Sequence, residues 1–430
     1  MALETILQGN VVTGLASNTE LPKMVKVKQL LDGSHYEVEE LPGLVAKELE
    51  PMADRIKPGM KIAITCGSRG VANIAVITKA IVDFVKAQGA EPFVFPAMGS
   101  HGGATAVGQV EILTGYGVTE EFLGCPIRAT MEVVQVGETE EAMPVFVDKY
   151  AYEADGIILC GRVKAHTAIR GPYESGILKM AVIGLGKQHG ADFVHRDGFS
   201  DLYRLLPMIA KVVFANTKVL GAVALAENAF DQTCIVEGLL KEEILDKEPD
   251  ILIRSKERLG KLFFDNIDVL VVDRIGKDVS GDGMDPNITG RYAVPHIEGD
   301  RTVQHIAVLD LTEETHGNCN GLGLADVTTR RLVEKIDVDC TYPNVVTSTV
   351  LCTPKIPLFT HSDKACIQVA LKTCNYIDRE HPRVMRIKDT MHLEEIEISE
   401  AMLMEAKKNP NIEILSDLYD WKFDKHDNLW

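Results

Sequence analysis

Residues 61–97 read KIAITCGSRGVANIAVITKAIVDFVKAQGAEPFVFPA, and this stretch decides the fold. It opens with a short apolar run, KIAITC (61–66), of strand rather than helix length, closed by GSRG. From 73 to 88 the spacing changes: Ile74, Ile77, Ile81 and Phe84 recur on one helical face. Gly89 ends that helix, as C-terminal glycines commonly do. PFVFPA (92–97) is a second buried strand, and it runs into MGSHGGAT. Strand, amphipathic helix and strand in this order predict a parallel pair joined by a crossover, the unit of an α/β domain.

The same alternation continues outward. A helix is expected at about 104–115 and a strand at GIILCGRV (156–163), which ends at KAHTAIRGPYESG. Residues 201–216 read as a helix containing Pro207, VLGAVALAEN (219–228) and QTCIVEGL (232–239) as a strand pair, and 240–263 as a charged helical connector. A second α/β region starts at NIDVLVVDRIG (266–276) and continues through HIAVLDLT (305–312), a helix around 322–336, a strand around 344–350 and a helix at 364–374. The expectation is two α/β domains with largely parallel sheets, 1–262 and 263–430, and an active-site cleft between them. The polar, aromatic tail DLYDWKFDKHDNLW is expected to dock on the surface or at a subunit contact, with a homodimer the assembly in view.

The 430 residues are 46% hydrophobic and 25% charged, a composition able to bury substantial cores. A net charge of −18 argues against nucleic acid or an anionic membrane as the main partner, while leaving room for a small acidic substrate held by local arginines. Nine scattered cysteines without a CxxC pair fit reduced thiols rather than disulfides or a zinc ribbon. No signal peptide is visible at MALETILQGNVV, and no apolar run approaches the roughly 20 residues that span a bilayer. A cytoplasmic protein is expected.

Ligands of open α/β sheets bind beyond the carboxyl ends of the strands. Three such ends carry capable residues: Ser68 and Arg69; Ser100 and His101; Lys164, His166 and Arg170. His101 lies among glycines that let backbone approach a ligand, and an imidazole at 101 or 166 can trade protons near neutral pH. Each is equally readable as a loop residue with a local partner. Lys179 stands in an otherwise apolar run, GILKMAVIGLG, where a charged amine must escape along its stem, pair, or lose its charge. His189 and His195 do not have zinc-motif spacing. The loop DVSGDGMDPNITGR offers Asn287 and Arg291 as polar contacts, although its composition is also that of a turn. Neither GLG opens a convincing dinucleotide fingerprint.

The segment from His166 to His195, with the order of loops around it, resembles the lactate racemase family of nickel-pincer-dependent 2-hydroxyacid racemases and epimerases. That resemblance implies a nickel-pincer nucleotide (a pyridinium-3-thioamide-5-thiocarboxylic acid mononucleotide) joined to Lys179, with His195, sixteen positions on, as the protein ligand of nickel. It implies His101 and His166 as the two proton-exchanging histidines and Arg69 as the clamp on the substrate carboxylate; Ser68, Arg170, Asn287 and Arg291 are expected around the substrate from their own loops. It also implies cofactor biosynthesis proteins as partners. The implied reaction removes hydride from the carbon of a 2-hydroxy acid and returns it to the opposite face. An acylated Lys179 would carry no charge, which suits its apolar setting. The chain departs from the lactate enzyme at Gly102 and Gly103 after His101, at Cys66, and in having DPNITGR in the second region, so the substrate is expected to be a different 2-hydroxy acid. Two other readings stand beside this one: an α/β lyase or hydrolase using Lys179 and the histidines without the pincer cofactor, and a non-catalytic protein binding a small carboxylate.

Overall fold

The structure, a computed structural model, describes residues 10–67, 70–196 and 198–430. The chain forms two compact units, one of Gly33–Leu259 and one of the residues up to Asp32 together with Gly260–Trp430.

In the first unit the strands are β1 (Lys61–Cys66), β2 (Glu91–Pro96), β3 (Val133–Glu138), β4 (Pro144–Asp148), β5 (Gly156–Arg162), β6 (Val219–Glu227) and β7 (Thr233–Leu240). Its longer helices are α1 (Leu41–Leu49), α2 (Ile74–Ala87), α3 (Ala106–Gly115), α4 (Leu185–His195), α5 (Leu202–Asn216) and α6 (Ile244–Arg258). The main sheet has the order β2-β1-β5-β6-β7, parallel except for β7, and β3 with β4 forms a separate antiparallel ribbon. Both faces of the sheet are covered, which is why β1 is apolar without alternation. Ile62, Ile64 and Cys66 join Ile77, Ile81 and Val85 of α2 in one core. Ala63, Ile157 and Leu159 join Leu205, Ile209 and Val213 of α5 in the other.

In the second unit an eight-stranded sheet is parallel through Leu358–Thr360, Val327–Thr329, Val303–Leu311, Ile267–Ile275 and Val384–Ile387, then antiparallel through Glu395–Ser399, Met24–Gln29 and Ile412–Ile414. The mixed α/β class with mostly parallel strands is as expected from sequence. The N-terminal segment, placed with 33–262 on sequence, instead pairs with strands near the C-terminus. Gln29 anchors it there, fully buried, with Nε2 donating to the carbonyls of Lys261 (3.0 Å) and Leu393 (2.7 Å) and Oε1 accepting from the Phe263 N–H (2.8 Å).

Two elements differ from the sequence reading. The helix expected over 322–336 is a single turn, the strand Val327–Thr329 and a short helix Arg330–Glu334. The hydroxyls of Thr328 and Thr329 bond the carbonyls of Val308 and Leu309, and the Thr329 oxygen caps the helix at Leu332 N–H. The strand expected at 344–350 is largely helix, Val338–Ser348, begun by Asp337 accepting from Asp339 and Cys340 N–H at 2.8 and 3.0 Å. A strong cap and tertiary contacts outweigh the strand preference of its β-branched residues. No helix among the described residues is long and apolar enough to cross a membrane.

Candidate active site

The carboxyl ends of β1, β2 and β5 converge on one short segment. Residues 177–179 make a helical turn, Met180–Gly184 a wider π-helical turn, and α4 follows. A Cβ on Gly67 would stand 3.3 Å from Met180 Cε, and one on Gly161 3.6 Å from the same atom. One on Gly184 would meet Met180 Sδ at 2.5 Å and the Ala97 carbonyl oxygen at 3.1 Å, so a side chain at 184 would push the segment off the strand ends. π-turns of this kind occur often at functional sites.

Lys179 lies on this segment. Ile177, Leu178, Ala181 and Val182 are buried, whereas Lys179, Met180 and Ile183 are partly exposed. The apolar run is thus one buried helical face, and the lysine lies off it. The turn is started by Glu248 of α6, which is 1% exposed: its Oε2 accepts from Leu178 N–H at 2.9 Å. Burial pushes the Glu248 carboxyl up to about 8, against the opposing pull of the Leu178 and Ile177 N–H groups. Gly176 is required here, because a Cβ would sit 1.9 Å from Glu248 Oε1.

Among the described residues the lysine with no exposed surface is Lys187, which the sequence reading did not single out. Its Nζ donates to the Pro96 carbonyl (2.7 Å) and to Gln109 Oε1 (2.5 Å) and lies 3.8 Å from Asp148 Oδ2, an ion pair too long for a hydrogen bond. Burial lowers Lys187 to about 8 although Asp148 opposes it, and burial raises Asp148 to about 6 against the Lys187 charge. The backbone at Lys187 has φ 54° and ψ −162°, a break in α4 between Lys179 and His195. Gly186 before it and Gly190 after it were the visible signal.

His195 ends α4. Burial first, and the Lys179 ammonium second, pull its imidazole down to about 4, while a bond to the Ala191 carbonyl opposes them. The side chain is therefore neutral at physiological pH, with one ring nitrogen donating to that carbonyl. Phe199 lies between two candidate histidines, its ring centroid 5.4 Å from His195 and 6.1 Å from His166. His189, in contrast, is exposed and meets Phe146 edge-on at 4.5 Å.

His166 stands in a loop pinched shut by the backbone pair Lys164 and Ser175. Its Nδ1 accepts from Ala168 N–H at 2.9 Å, so the neutral ring carries its proton on Nε2. Buried Glu174 organises this loop: it accepts from His166 N–H (2.8 Å), Arg170 Nη1 (3.2 Å) and Lys256 Nζ (2.7 Å). Arg170 Nη1 also bonds the carbonyls of His166 (2.5 Å) and Ile169 (2.9 Å), bracing the loop from within. His101 is exposed in the turn after β2, followed by left-handed Gly102, Gly103 and Ala104. That turn touches α4: a Cβ on Gly99 would lie 3.5 Å from Ala191 and 3.7 Å from Ile183.

Ser68 and Arg69 lie outside the described residues. Asn287 and Arg291 belong to the second unit. Asn287 bonds Asp285 (2.7 Å) and Tyr292 (3.2 Å). Arg291 bonds Asp326 and the carbonyls of Leu324 (3.0 Å), Val303 (3.1 Å) and Gln304 (2.9 Å), the pattern of a loop brace. Among the described residues no group of three or more His, Cys, Asp or Glu is arranged to hold a metal ion.

The family described as lactate racemase N-terminal domain matches residues 34–199, the span that contains every element of this site except α6. Over this span the chain is similar to the lactate racemase N-terminal domain. The likeness in fold extends well past that domain: the solved structure of the lactate racemase apoprotein from Thermoanaerobacterium thermosaccharolyticum is similar over 86% of this chain and 99% of that one, at 12% identity and a TM-score of 0.52. No match was found among curated protein sequences. The residues present fit the pincer cofactor of the resemblance: a partly exposed Lys179 within electrostatic reach of a neutral His195.

Proposed function

We propose that this lactate racemase-like isomerase is a nickel-pincer-dependent racemase or epimerase of a 2-hydroxy acid. The observation that carries this reading is the neutral His195 held within electrostatic reach of Lys179, on one bent segment over three parallel strand ends. Lys179 would hold the nucleotide and His195 the nickel; His189, in its aromatic contact with Phe146, is less suited. When bound, the cofactor supplies a hydride acceptor and donor at the substrate carbon.

The chain's own residues do the rest. His101 and His166 take the hydroxyl proton and give it back, one for each enantiomer. His166, with Nδ1 engaged by Ala168, presents Nε2 as its working nitrogen. Glu174 and the Lys164–Ser175 pinch hold that imidazole in place. Arg69 would grip the carboxylate as a two-point clamp, with Ser68 and Arg170 contributing polar contacts. The partners are a small 2-hydroxy acid and the cofactor biosynthesis proteins, in the cytoplasm, with a homodimer as the assembly.

The test is the mass of the Lys179 peptide, and the nickel content, of protein produced with the pincer biosynthesis enzymes. An adduct on Lys179 with stoichiometric nickel supports the reading, and 2-hydroxy acids are then screened for loss of optical activity. An unmodified Lys179 without nickel, with a known family racemase loaded in parallel, sinks it.

A further inference from the structure

We propose that Lys187 is a positioning residue: through Gln109 it ties the His101 turn to the bent segment that carries Lys179 and His195. The inference rests on the reading above for the roles of those three residues, but its geometry stands on its own.

The Lys187 ammonium joins three elements. It bonds the last carbonyl of β2 at Pro96 and the side chain of Gln109 on α3, and it faces Asp148 at the end of β4. Gln109, also fully buried, passes the connection on. Its Oε1 is taken by Lys187, which fixes the amide orientation and turns Nε2 toward the His101 turn. Nε2 lies 2.9 Å from the Gly99 carbonyl oxygen, 3.3 Å from that of Met98 and 3.4 Å from that of His101. One lysine, one amide and three carbonyls thus connect α4 to the turn bearing His101.

The backbone strengthens the argument. At φ 54° and ψ −162° residue 187 occupies a conformation that glycine adopts with little strain and L side chains rarely adopt. Gly186 immediately precedes it. Were a bend between Lys179 and His195 all that is required, glycine would serve at 187. A buried cation there adds both backbone strain and desolvation, and a well-packed apolar residue commonly matches or exceeds the stability of a buried ion pair. What neither glycine nor an apolar residue can do is hold the Pro96 and Gln109 acceptors.

Two full-length variants test this. Gln109→Glu keeps an acceptor for Lys187 and removes the N–H donors to the turn. Lys187→Met combined with Asp148→Asn removes the cation without leaving a buried carboxylate unpaired. Hydrogen–deuterium exchange is followed on peptides covering 97–105 and, as internal control, 202–216. Exchange at 97–105 is expected to rise at least tenfold with the control unchanged, and Gln109→Glu decides the matter if the double variant does not fold. In protein carrying the Lys179 adduct, kcat for the 2-hydroxy acid racemised by the wild type is expected to fall about a hundredfold with KM within threefold and adduct and nickel content unchanged. Unaltered exchange at 97–105 in a folded variant, or loosened exchange with an unaltered kcat, overturns the proposal. A wild type that never acquires the adduct overturns the racemase reading instead, and the exchange data still decide the connection between α4 and the turn.

Discussion

Replacing Glu248 by glutamine removes a buried carboxylate while keeping an oxygen to accept Leu178 N–H. Burial raises this carboxyl from 4.5 to about 8. Between those values the folded protein holds a proton that the unfolded chain has released. Stability from this group is therefore complete below about pH 4.5, declines as pH rises, and is lost above about pH 8. The limiting slope is about 1.4 kcal/mol per pH unit, and the sum over the interval is on the order of 4 kcal/mol. Glu248→Gln does not titrate, so it is expected to match the wild type near pH 5 and to exceed it at pH 8. For a unit of this size 1 kcal/mol moves Tm by roughly 2–4 °C, so the gap is expected to widen by about 8–16 °C. Far-UV circular dichroism melts of both proteins at four pH values between 5 and 8 read this directly. Parallel Tm profiles would refute the reasoning, since the carboxyl holding the Lys179 turn would then be ionised without penalty.

Lys179→Met removes one of the two influences that depress His195, so its imidazole is expected to titrate higher than about 4 while staying below an exposed histidine, because burial is the larger cause; histidine C2–H proton shifts followed against pH check this, and an unmoved titration contradicts the pairing. Gly176→Ala drives a Cβ to 1.9 Å from Glu248 Oε1 and is expected to destabilise the first unit by about 1–3 kcal/mol, read by chemical denaturation; a neutral result would mean that α6 gives way freely. His101→Ala and His166→Ala are each expected to lower racemisation by roughly 10²–10⁴-fold with the Lys179 adduct intact; near-normal turnover in either would remove that histidine from proton exchange.

The βαβ unit of 61–97 was legible because both of its strands are buried on two faces and its helix shows one apolar stripe. The convergence of strand ends was legible too, since loop chemistry and strand order suffice to place it. What the sequence hid was of another kind. Thr328 and Thr329 entered a strand through hydroxyl bonds to a neighbouring strand, and 338–348 became helical from its Asp337 cap, both decided by partners remote from, or at the edge of, the pattern. The attention drawn to Lys179 came from reading a run of apolar letters as a buried environment. Helical geometry turned Lys179 outward and placed Lys187, whose neighbours are glycines, in the interior. Gln109, Glu174 and Glu248 were not visible because their importance comes from the backbone groups and charged side chains that the fold brings to them.

The strand Met24–Gln29 is paired with Glu395–Ser399 and Ile412–Ile414, so Met24 finds its partner Ser399 across 375 positions (399 − 24). A ribosome adding about 5–20 residues per second would synthesise that strand on the order of 20–75 s before its neighbours exist. All of 33–259, an uninterrupted stretch with its own cores, emerges in the meantime. The birth order of the protein therefore separates its two halves in time. The half that carries the lysine and the histidines is complete in sequence first, while an exposed, β-prone N-terminal segment waits for its sheet and needs shielding from other chains until translation ends.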